Sequence, residues 1–376
     1  MIPVMRPLLG DEEAEAVAEV VRSGWVAQGP RVAAFEAAFA ESVGAAHGVA
    51  TSSCTTALHL ALHLLGIGVG DEVVVPSFSF IATANAVRYT GASPVFADVD
   101  PVTGNLTGAT VAPVLTDRTR AVILVHQAGV PADVADVRAA CGAIPIVEDA
   151  ACAAGSRAHG RPVGAGALMA AWSFHPRKLL TTGEGGMITT DDAESAVRLR
   201  RLREHGMSMS AADRHRSGGN AVEDYAETGF NYRMTDIQAA LGEVQLRRLP
   251  GIVARRRELA AAYREMLDGL DVRCVDDPPH GEGNVQSFWV LLGDDAAPRD
   301  GVLAALAEQG VSARRGIMAA HLEPAYAGHD VSLPVTEHLT RRSLILPLHH
   351  ELTTAEQEQV VGALTAALRA PAVVSS

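Results

Sequence analysis

Short apolar runs alternate with helical periodicity between about residues 47 and 190, and no other feature constrains the fold of this chain as strongly. The alternation is typical of βα units on a largely parallel sheet. The predicted strands are 72–75, 94–97, 121–125, 145–148, 168–174 and 187–190. The predicted helices are 54–65, 79–89, 132–140 and 191–204. The sequence therefore predicts an α/β fold, in which ligands bind beyond the carboxyl ends of the strands.

The rest of the chain predicts a second and smaller α/β unit. The further predicted elements are helices at 11–22, 30–42, 235–248, 252–268, 299–309 and 354–368 and a strand at 286–292. The segment 207–222, rich in Ser, Gly, Arg and His, is predicted to be a long loop. We predict a large domain over residues 1–250, with a mostly parallel mixed sheet, and a small C-terminal domain over 251–376.

Composition and charge exclude several classes of protein. The 376 residues are 48% apolar, which is enough for a buried core and excludes a disordered chain. No run approaches the roughly 18 apolar residues of a membrane span, and the N-terminus lacks the pattern of a signal peptide. A net charge of −13 argues against binding to nucleic acid. Four cysteines without a Cys-x-x-Cys pair favour neither a metal site nor disulfides, so we expect a cytoplasmic protein.

Lys178 is the only lysine in the chain. Lysine and arginine together number 31, so a single lysine leaves 30 arginines. Arginine stays protonated at neutral pH, whereas a lysine whose pKa is lowered by its site can act as a nucleophilic amine. The exception therefore indicates a chemical role for Lys178, with a leftover surface lysine as the alternative.

Polar residues follow three of the predicted strands and precede one predicted helix. His126, Asp149 and Ser173 lie at strand ends, and the hydroxyl-rich segment 51–56 begins the helix that follows it. Taken singly, Asp149 and Ser53 could be helix caps and His126 an interior histidine. Their common position at one edge of the sheet favours a shared site.

Such a site offers three kinds of contact to a ligand. A helix start binds phosphate, a carboxylate holds a ring nitrogen protonated, and a lysine condenses with an aldehyde. These are the three handles of pyridoxal 5′-phosphate (PLP). The glycines of 66–70 follow a helix rather than a strand, which argues against a dinucleotide loop and a nicotinamide enzyme. The turn 183–186 lacks the residues of a Walker loop.

The segment 173–186 (SFHPRKLLTTGEGG) resembles the sugar aminotransferases of the DegT/DnrJ/EryC1/StrS family, which are PLP-dependent and have the aspartate aminotransferase fold (fold type I). Further segments resemble family motifs in the expected order. They are 24–30, 52–61, 76–83, 148–151, 231–236 and, more weakly, 321–326. The resemblance thus covers nearly the whole chain.

The resemblance implies a role for each matching residue. Lys178 would form the Schiff base with the cofactor and later move the proton, while Asp149 would pair with the pyridinium nitrogen. Phe80 would stack on the ring. Asn231 would reach the cofactor phosphate of the neighbouring subunit, so that a homodimer shares its sites. The residues implied to hold the phosphate within the subunit are Ser53, Cys54, Thr55 and Ser173.

Two residues depart from the family pattern. Cys54 occupies a place often held by glycine, which is tolerable if the backbone needs no positive φ there. Cys152 stands where many members have Gln or His contacting the phenolic oxygen of the cofactor, and a thiol is a weak donor. His126 could supply that hydrogen bond instead, or it could be purely structural.

The expected reaction is transfer of an amino group from glutamate or glutamine to a keto group of a nucleotide-linked sugar, in amino-sugar and antibiotic biosynthesis. Burial and the cationic cofactor are expected to lower the pKa of Lys178. The expected substrate-binding residues are Trp25, Gln28, Arg214, His215, Arg216, His321 and Tyr326. Residues 214–216 are expected to clamp a diphosphate, and the alternative is that they only form a solvated surface loop. The alternatives are a keto-cyclitol acceptor, a PLP-dependent sugar dehydratase and a non-catalytic PLP-binding regulator. Lys178 disfavours the dehydratase, because that branch of the family has histidine at the lysine position.

Overall fold

The computed structural model describes residues 1–209, 224–329 and 331–369. The helices are α1 Asp11–Ser23, α2 Pro30–Ser42, α3 Cys54–Leu64, α4 Ala82–Tyr89, α5 Gly108–Val111, α6 Val134–Cys141, α7 Ala193–Leu202, α8 Asp236–Met266, α9 Arg299–Glu308, α10 Pro334–Arg342 and α11 Thr354–Arg369. The strands are β1 His47–Thr51, β2 Glu72–Pro76, β3 Ser93–Ala97, β4 Thr119–Val125, β5 Ile146–Asp149, β6 Arg157–Ala158, β7 Arg161–Pro162, β8 Met169–Ser173, β9 Gly186–Thr190, β10 Val272–Cys274, β11 Gly281–Glu282, β12 Phe288–Leu292, β13 Arg314–Arg315 and β14 Ser343–Leu346.

The large sheet has seven strands in the order β1-β9-β8-β5-β4-β2-β3. Neighbours from β8 to β3 pair in parallel, and β9 runs antiparallel to both β8 and β1. The sheet is therefore mixed but mostly parallel, as the sequence predicted. All six predicted strands are confirmed within one or two residues of their bounds, because each is an apolar run buried between helices.

A smaller sheet of four antiparallel strands, β10-β12-β14-β13, forms the second unit. Its core is continuous with that of the large sheet, since Trp289 of β12 packs edge-on against Phe78 with ring centroids 6.3 Å apart. The long helix α8 runs beside both sheets. It packs on α1 and α2 at its first half, and its second half contributes Tyr263 to the shared core.

The predicted break between helices 235–248 and 252–268 is wrong. Helix α8 continues through Pro250 as one element of 31 residues. A proline removes one helical hydrogen bond and strains the turn before it, but tertiary contacts can outweigh that cost. Gln245, on the turn before the proline, donates to Leu8 O and to Glu13 Oε1, and Arg256, on the turn after it, is buried in hydrogen bonds.

The sequence interpretation missed helices α5 and α10 and the strands β1, β6, β7, β10, β11, β13 and β14. The predicted loop 207–222 lies mostly outside the described residues. Of this segment the structure describes 207–209, where Met207 forms a backbone bridge with Tyr225. Within the described part of the chain, no helix combines the length and apolar character needed to cross a membrane.

Candidate active site

Lys178 lies in a compact turn between β8 and β9. The turn is closed by backbone hydrogen bonds from Phe174 N to Gly185 O and from Thr182 N to Phe174 O, both 2.9 Å. A further bond from Lys178 N to His175 O, 2.8 Å, tightens the turn around the lysine itself. The side chain points to the carboxyl end of β5, where Nζ donates to Cys152 Sγ at 3.0 Å.

The pKa of Lys178 is raised above its usual value in this structure. Burial by itself lowers it, but the thiol of Cys152, which accepts the hydrogen bond, together with Cys54 and Asp149 favours the ammonium form and outweighs burial. The lower pKa was expected with the cationic cofactor bound, and that expectation stays a prediction.

Asp149 is a buried carboxylate at the end of β5. Its Oδ2 accepts a hydrogen bond from Thr83 Oγ1 at 2.8 Å, and its Oδ1 accepts one from Ala151 N at 3.2 Å. Burial raises the pKa of Asp149, and the bonds from Thr83 and Ala151, with the charge of Lys178, offset this only in part. Among the described residues no cation lies within salt-bridge distance of it, so the site can accept one more positive charge.

The start of α3 faces the same edge of the sheet. Ser53 caps this helix by accepting a hydrogen bond from Thr56 N at 3.2 Å, so Cys54 and Thr55 form its first turn. Backbone N–H groups and the helix dipole make such a turn suitable for phosphate. Cys54 is helical and is not among the described residues with positive φ, so it can stand in place of glycine.

Gly186 brings this helix start close to the end of β8. It pairs with Ser173 across the sheet, and a Cβ on it would lie 2.6 Å from the amide nitrogen of Cys54. A residue with a side chain cannot fit there without moving backbone. The two segments expected to hold phosphate, at Ser173 and at Ser53–Thr55, thus approach each other because residue 186 is glycine.

His126 is an interior structural histidine. Its Nδ1 accepts a hydrogen bond from Ala132 N and its Nε2 contacts Glu148 Oε2, both at 3.0 Å, and only 1% of the residue is exposed. Both ring nitrogens are occupied, so the suggestion that His126 replaces the missing donor at Cys152 is wrong. The alternative that the sequence left open, a satisfied core histidine, is confirmed.

Trp25, Gln28 and Asn231 come together around Glu204. Trp25 Nε1 donates to Gln28 O, Gln28 Nε2 donates to Glu204 Oε2 at 3.1 Å, and Asn231 forms a backbone bridge with Glu204. The next carbonyl, Tyr232 O, accepts from Ser52 N at 2.8 Å and brings this cluster beside the start of α3.

The remaining predicted residues differ in how deeply they are buried. Phe80 precedes α4, and 64% of it is exposed. His321 and Tyr326 are buried, with His321 Nδ1 2.6 Å from Ser77 Oγ and Tyr326 OH donating to Asn85 Oδ1 at 2.8 Å. Their assignment to substrate stays a prediction. Arg214, His215 and Arg216 lie outside the described residues.

Three residues near the site escaped the sequence interpretation. Thr83 bonds to Asp149, Gly186 allows the close approach, and the side chain of Gln286 bonds to the backbone on both sides of Lys178. Thr83 and Gly186 close two of the quoted motifs, 76–83 and 173–186. Gln286 stands more than 100 positions from Lys178, so no local pattern could have identified it.

The arrangement fits PLP by the chemistry of its donors. One sheet edge brings together an amine that can condense with an aldehyde, a buried carboxylate with no salt bridge to any described residue, and the backbone N–H groups of a helix start. The cofactor's aldehyde, ring nitrogen and phosphate would need these groups.

Comparison with known proteins agrees with this geometry. The model of the DegT/DnrJ/EryC1/StrS aminotransferase family matches residues 7–365. The aminotransferase TlmJ from Streptoalloteichus hindustanus is 40% identical, with a TM-score of 0.91 over 98% of this chain and 99% of that one. DesV from S. venezuelae, solved with a ketimine intermediate, is 34% identical, with a TM-score of 0.89 over 98% and 99%.

A third structure carries the cofactor. The PLP form of Spr1654 from Streptococcus pneumoniae is 26% identical, with a TM-score of 0.91 over 97% of this chain and 98% of that one. Family model and neighbours agree in fold and in length with the chain described above. The chain therefore belongs to the DegT/DnrJ/EryC1/StrS aminotransferase family, and it is a PLP-dependent sugar aminotransferase.

Proposed function

We propose that this enzyme moves an amino group from glutamate or glutamine to a keto group of a nucleotide-linked sugar, in the cytoplasm and as a step of amino-sugar biosynthesis. The observation that carries the proposal is the contact of the only lysine, Lys178, with Cys152 beside the buried carboxylate of Asp149. PLP, when bound, supplies the aldehyde and the electron-withdrawing ring that such a transfer requires.

Within this proposal each residue has one task. Lys178 would hold the cofactor through its amine and would move the proton at Nζ during the transfer. Asp149, whose charged form accepts a hydrogen bond from Thr83, would keep the ring nitrogen protonated. The start of α3 at Ser53, Cys54 and Thr55, with Ser173, binds the phosphate.

The proposed substrate entrance is the cluster of Trp25, Gln28 and Asn231. Asn231 is exposed and the cluster adjoins the start of α3, so a second subunit placed over it could share the site. We propose a homodimer on this ground, with Phe80 stacking on the cofactor ring. Arg214, His215 and Arg216 could bind a diphosphate, which the net charge of −13 would otherwise repel.

Rapid mixing of the PLP-loaded enzyme with glutamate or glutamine tests the donor. Conversion of the pyridoxal to the pyridoxamine absorbance supports the proposal, and an unchanged spectrum with both donors would favour the non-catalytic regulator. Lys178→Arg is the matched control, because it keeps the charge but cannot form a Schiff base. Borohydride reduction should label the peptide 173–186 in the wild type and not in this variant.

The pyridoxamine form should then be mixed with keto-sugar nucleotides and with keto-cyclitols. Return of the pyridoxal spectrum with the first group supports the proposed acceptor, whereas a response only to the second would replace it by a cyclitol. Loss of a hydroxyl from the sugar without donor consumption would indicate a dehydratase. Sedimentation tests the shared site: a fully active monomer would refute the assignment of Asn231.

A further inference from the structure

A three-residue segment of the small unit bonds to the backbone on both sides of Lys178. Gln286 lies in the connection from β11 to β12, and its side chain is buried. Its Oε1 accepts a hydrogen bond from Leu179 N at 3.1 Å, and its Nε2 donates to Arg177 O at 2.7 Å. The side-chain amide of Gln286 thereby hydrogen-bonds to the backbone of the residue before the lysine and to that of the residue after it.

The same segment also hydrogen-bonds to Cys152, the residue whose thiol contacts Lys178. Asn284 Nδ2 donates to Cys152 O and to Ala154 O, both at 2.8 Å. Asn284 Oδ1 accepts from Gln286 N at 2.8 Å, which ties the side chain of Asn284 to the backbone of Gln286. The turns that carry Lys178 and Cys152 are therefore fastened to one segment, here called the 284–286 clamp.

The clamp is strained and is fixed by a buried cation. Val285 has φ 54°, a left-handed conformation that costs a branched residue on the order of 1–3 kcal/mol. Arg256 of α8 donates to Val285 O and Gln286 O, both at 2.9 Å, and to Leu348 O at 2.6 Å. Only 1% of Arg256 is exposed, and among the described residues no carboxylate pairs with it.

Burial lowers the pKa of Arg256 to about 9, so the guanidinium is still charged at neutral pH. A buried charge bonded to carbonyl groups and to Met5 Sδ, at 3.6 Å, is costly to maintain next to a strained turn. Strain and buried polar networks concentrate where a protein must hold one geometry. Here that geometry is the separation of Lys178 from Cys152.

We propose that Gln286 and Asn284 are positioning residues of the transamination site, which hold Lys178 Nζ against Cys152 Sγ. The inference rests on the proposed function and adds two residues to its machinery. A neutral amide suits the task because it donates to one backbone group and accepts from another, whereas a carboxylate could not donate to Arg177 O. Misplacing a catalytic group by about 1 Å can cost a factor of about 100 in rate.

The test replaces Gln286 by methionine, which keeps the length and removes both hydrogen bonds. Gln357→Met is the matched control, because Gln357 is also buried and its Nε2 donates to a backbone carbonyl, Leu259 O, at 2.9 Å. The first readout is the rate at which acetic anhydride labels Lys178 in the full-length, cofactor-free chain as a function of pH. The single lysine makes the labelled peptide unambiguous.

In Gln286→Met we expect the labelling profile of Lys178 to move to lower pH, since the lysine loses the Cys152 contact that raises its pKa while burial still lowers it. In the loaded enzyme, kcat of the glutamate half-reaction should fall about 10-fold to 100-fold, with little change in the KM for glutamate. Gln357→Met should change thermal stability alone.

A labelling profile identical to that of the wild type, or an equal change in both variants, would overturn the proposal. Should Gln286→Met fail to fold, Gln286→Asn with Gln357→Asn as its control takes its place, since the shorter amide cannot span both backbone groups. A wild-type enzyme without a half-reaction with either glutamate or glutamine would refute the proposed function, while the labelling profile would still decide on the clamp.

Discussion

Replacing Thr83 by valine removes the shorter of two side-chain hydrogen bonds to Asp149, the other being donated by Cys54 Sγ at 3.9 Å. Thr83 Oγ1 donates to Asp149 Oδ2 at 2.8 Å, and Ser79 Oγ lies 3.0 Å from the same hydroxyl. Valine has nearly the same shape, so the change removes the donor and leaves the packing of α4 in place. Thr83 is almost fully buried, and water cannot easily replace its hydroxyl.

The size of the effect follows from the charge of the acceptor. A hydrogen bond to a charged group contributes about 1.5–3 kcal/mol, which at about 1.4 kcal/mol per factor of ten changes the ratio of ionised to protonated Asp149 by about 10-fold to 100-fold. Burial already raises the pKa of Asp149, and the Thr83 bond lowers it. Its loss therefore raises the pKa further, and the ionised form disappears at a higher pH.

The assay is the pH profile of kcat/KM for the glutamate half-reaction, together with PLP titrations at the same pH values. In Thr83→Val the acid limb of the profile should move to higher pH, with little change on the alkaline side. Thr189→Val is the control: Thr189 is buried and accepts from Trp172 Nε1 at 2.9 Å, so its loss should lower stability without moving the acid limb. An unmoved acid limb in Thr83→Val would refute the assignment of that limb to Asp149.

Three further predictions concern stability and cofactor retention. Gly186→Ala should lower the free energy of unfolding by more than about 3 kcal/mol and abolish PLP binding, because the new Cβ would meet the backbone at Cys54. The control is Gly251→Ala, in open space within α8, which should raise the free energy of unfolding in urea by about 0.5–1 kcal/mol. Asp149→Asn should raise the melting temperature of the cofactor-free chain at neutral pH, because the raised pKa of Asp149 in the folded state means that its negative charge costs stability there. The same change should weaken PLP binding. A lower melting temperature would contradict the first expectation. His126→Ala should lower the free energy of unfolding by about 2–5 kcal/mol in the same measurement, but the protein that remains folded should keep its PLP affinity.

The local pattern of the sequence was sufficient for most of the large sheet. Runs such as Ala121–Val125 are apolar throughout because both faces of a parallel strand are buried, and burial does not depend on which strand lies beside it. Strand β14 was missed because Ser343–Leu346 is short and follows a charged helix. The break at Pro250 was wrongly predicted because local propensity was weighed without the packing of α8 on α1 and α2.

Residue type alone identified the chemistry. A single lysine, a carboxylate and a serine at strand ends, and hydroxyls at a helix start fixed the cofactor, because few ligands need an amine, an anion and a phosphate cradle together. These are properties of the side chains themselves, and the order of βα units brings strand ends to one edge whatever the details of packing.

Tertiary structure decided how those groups behave. The bonds of Thr83 to Asp149 and of Gln286 to the Lys178 turn join positions far apart in the chain, and the occupation of both nitrogens of His126 depends on where Glu148 and Ala132 come to lie. The direction of the Lys178 pKa shift was likewise settled by distances to Cys152 and Asp149. Electrostatic and hydrogen-bond energies depend on separations of a few ångströms, which the folded chain sets and residue identity does not.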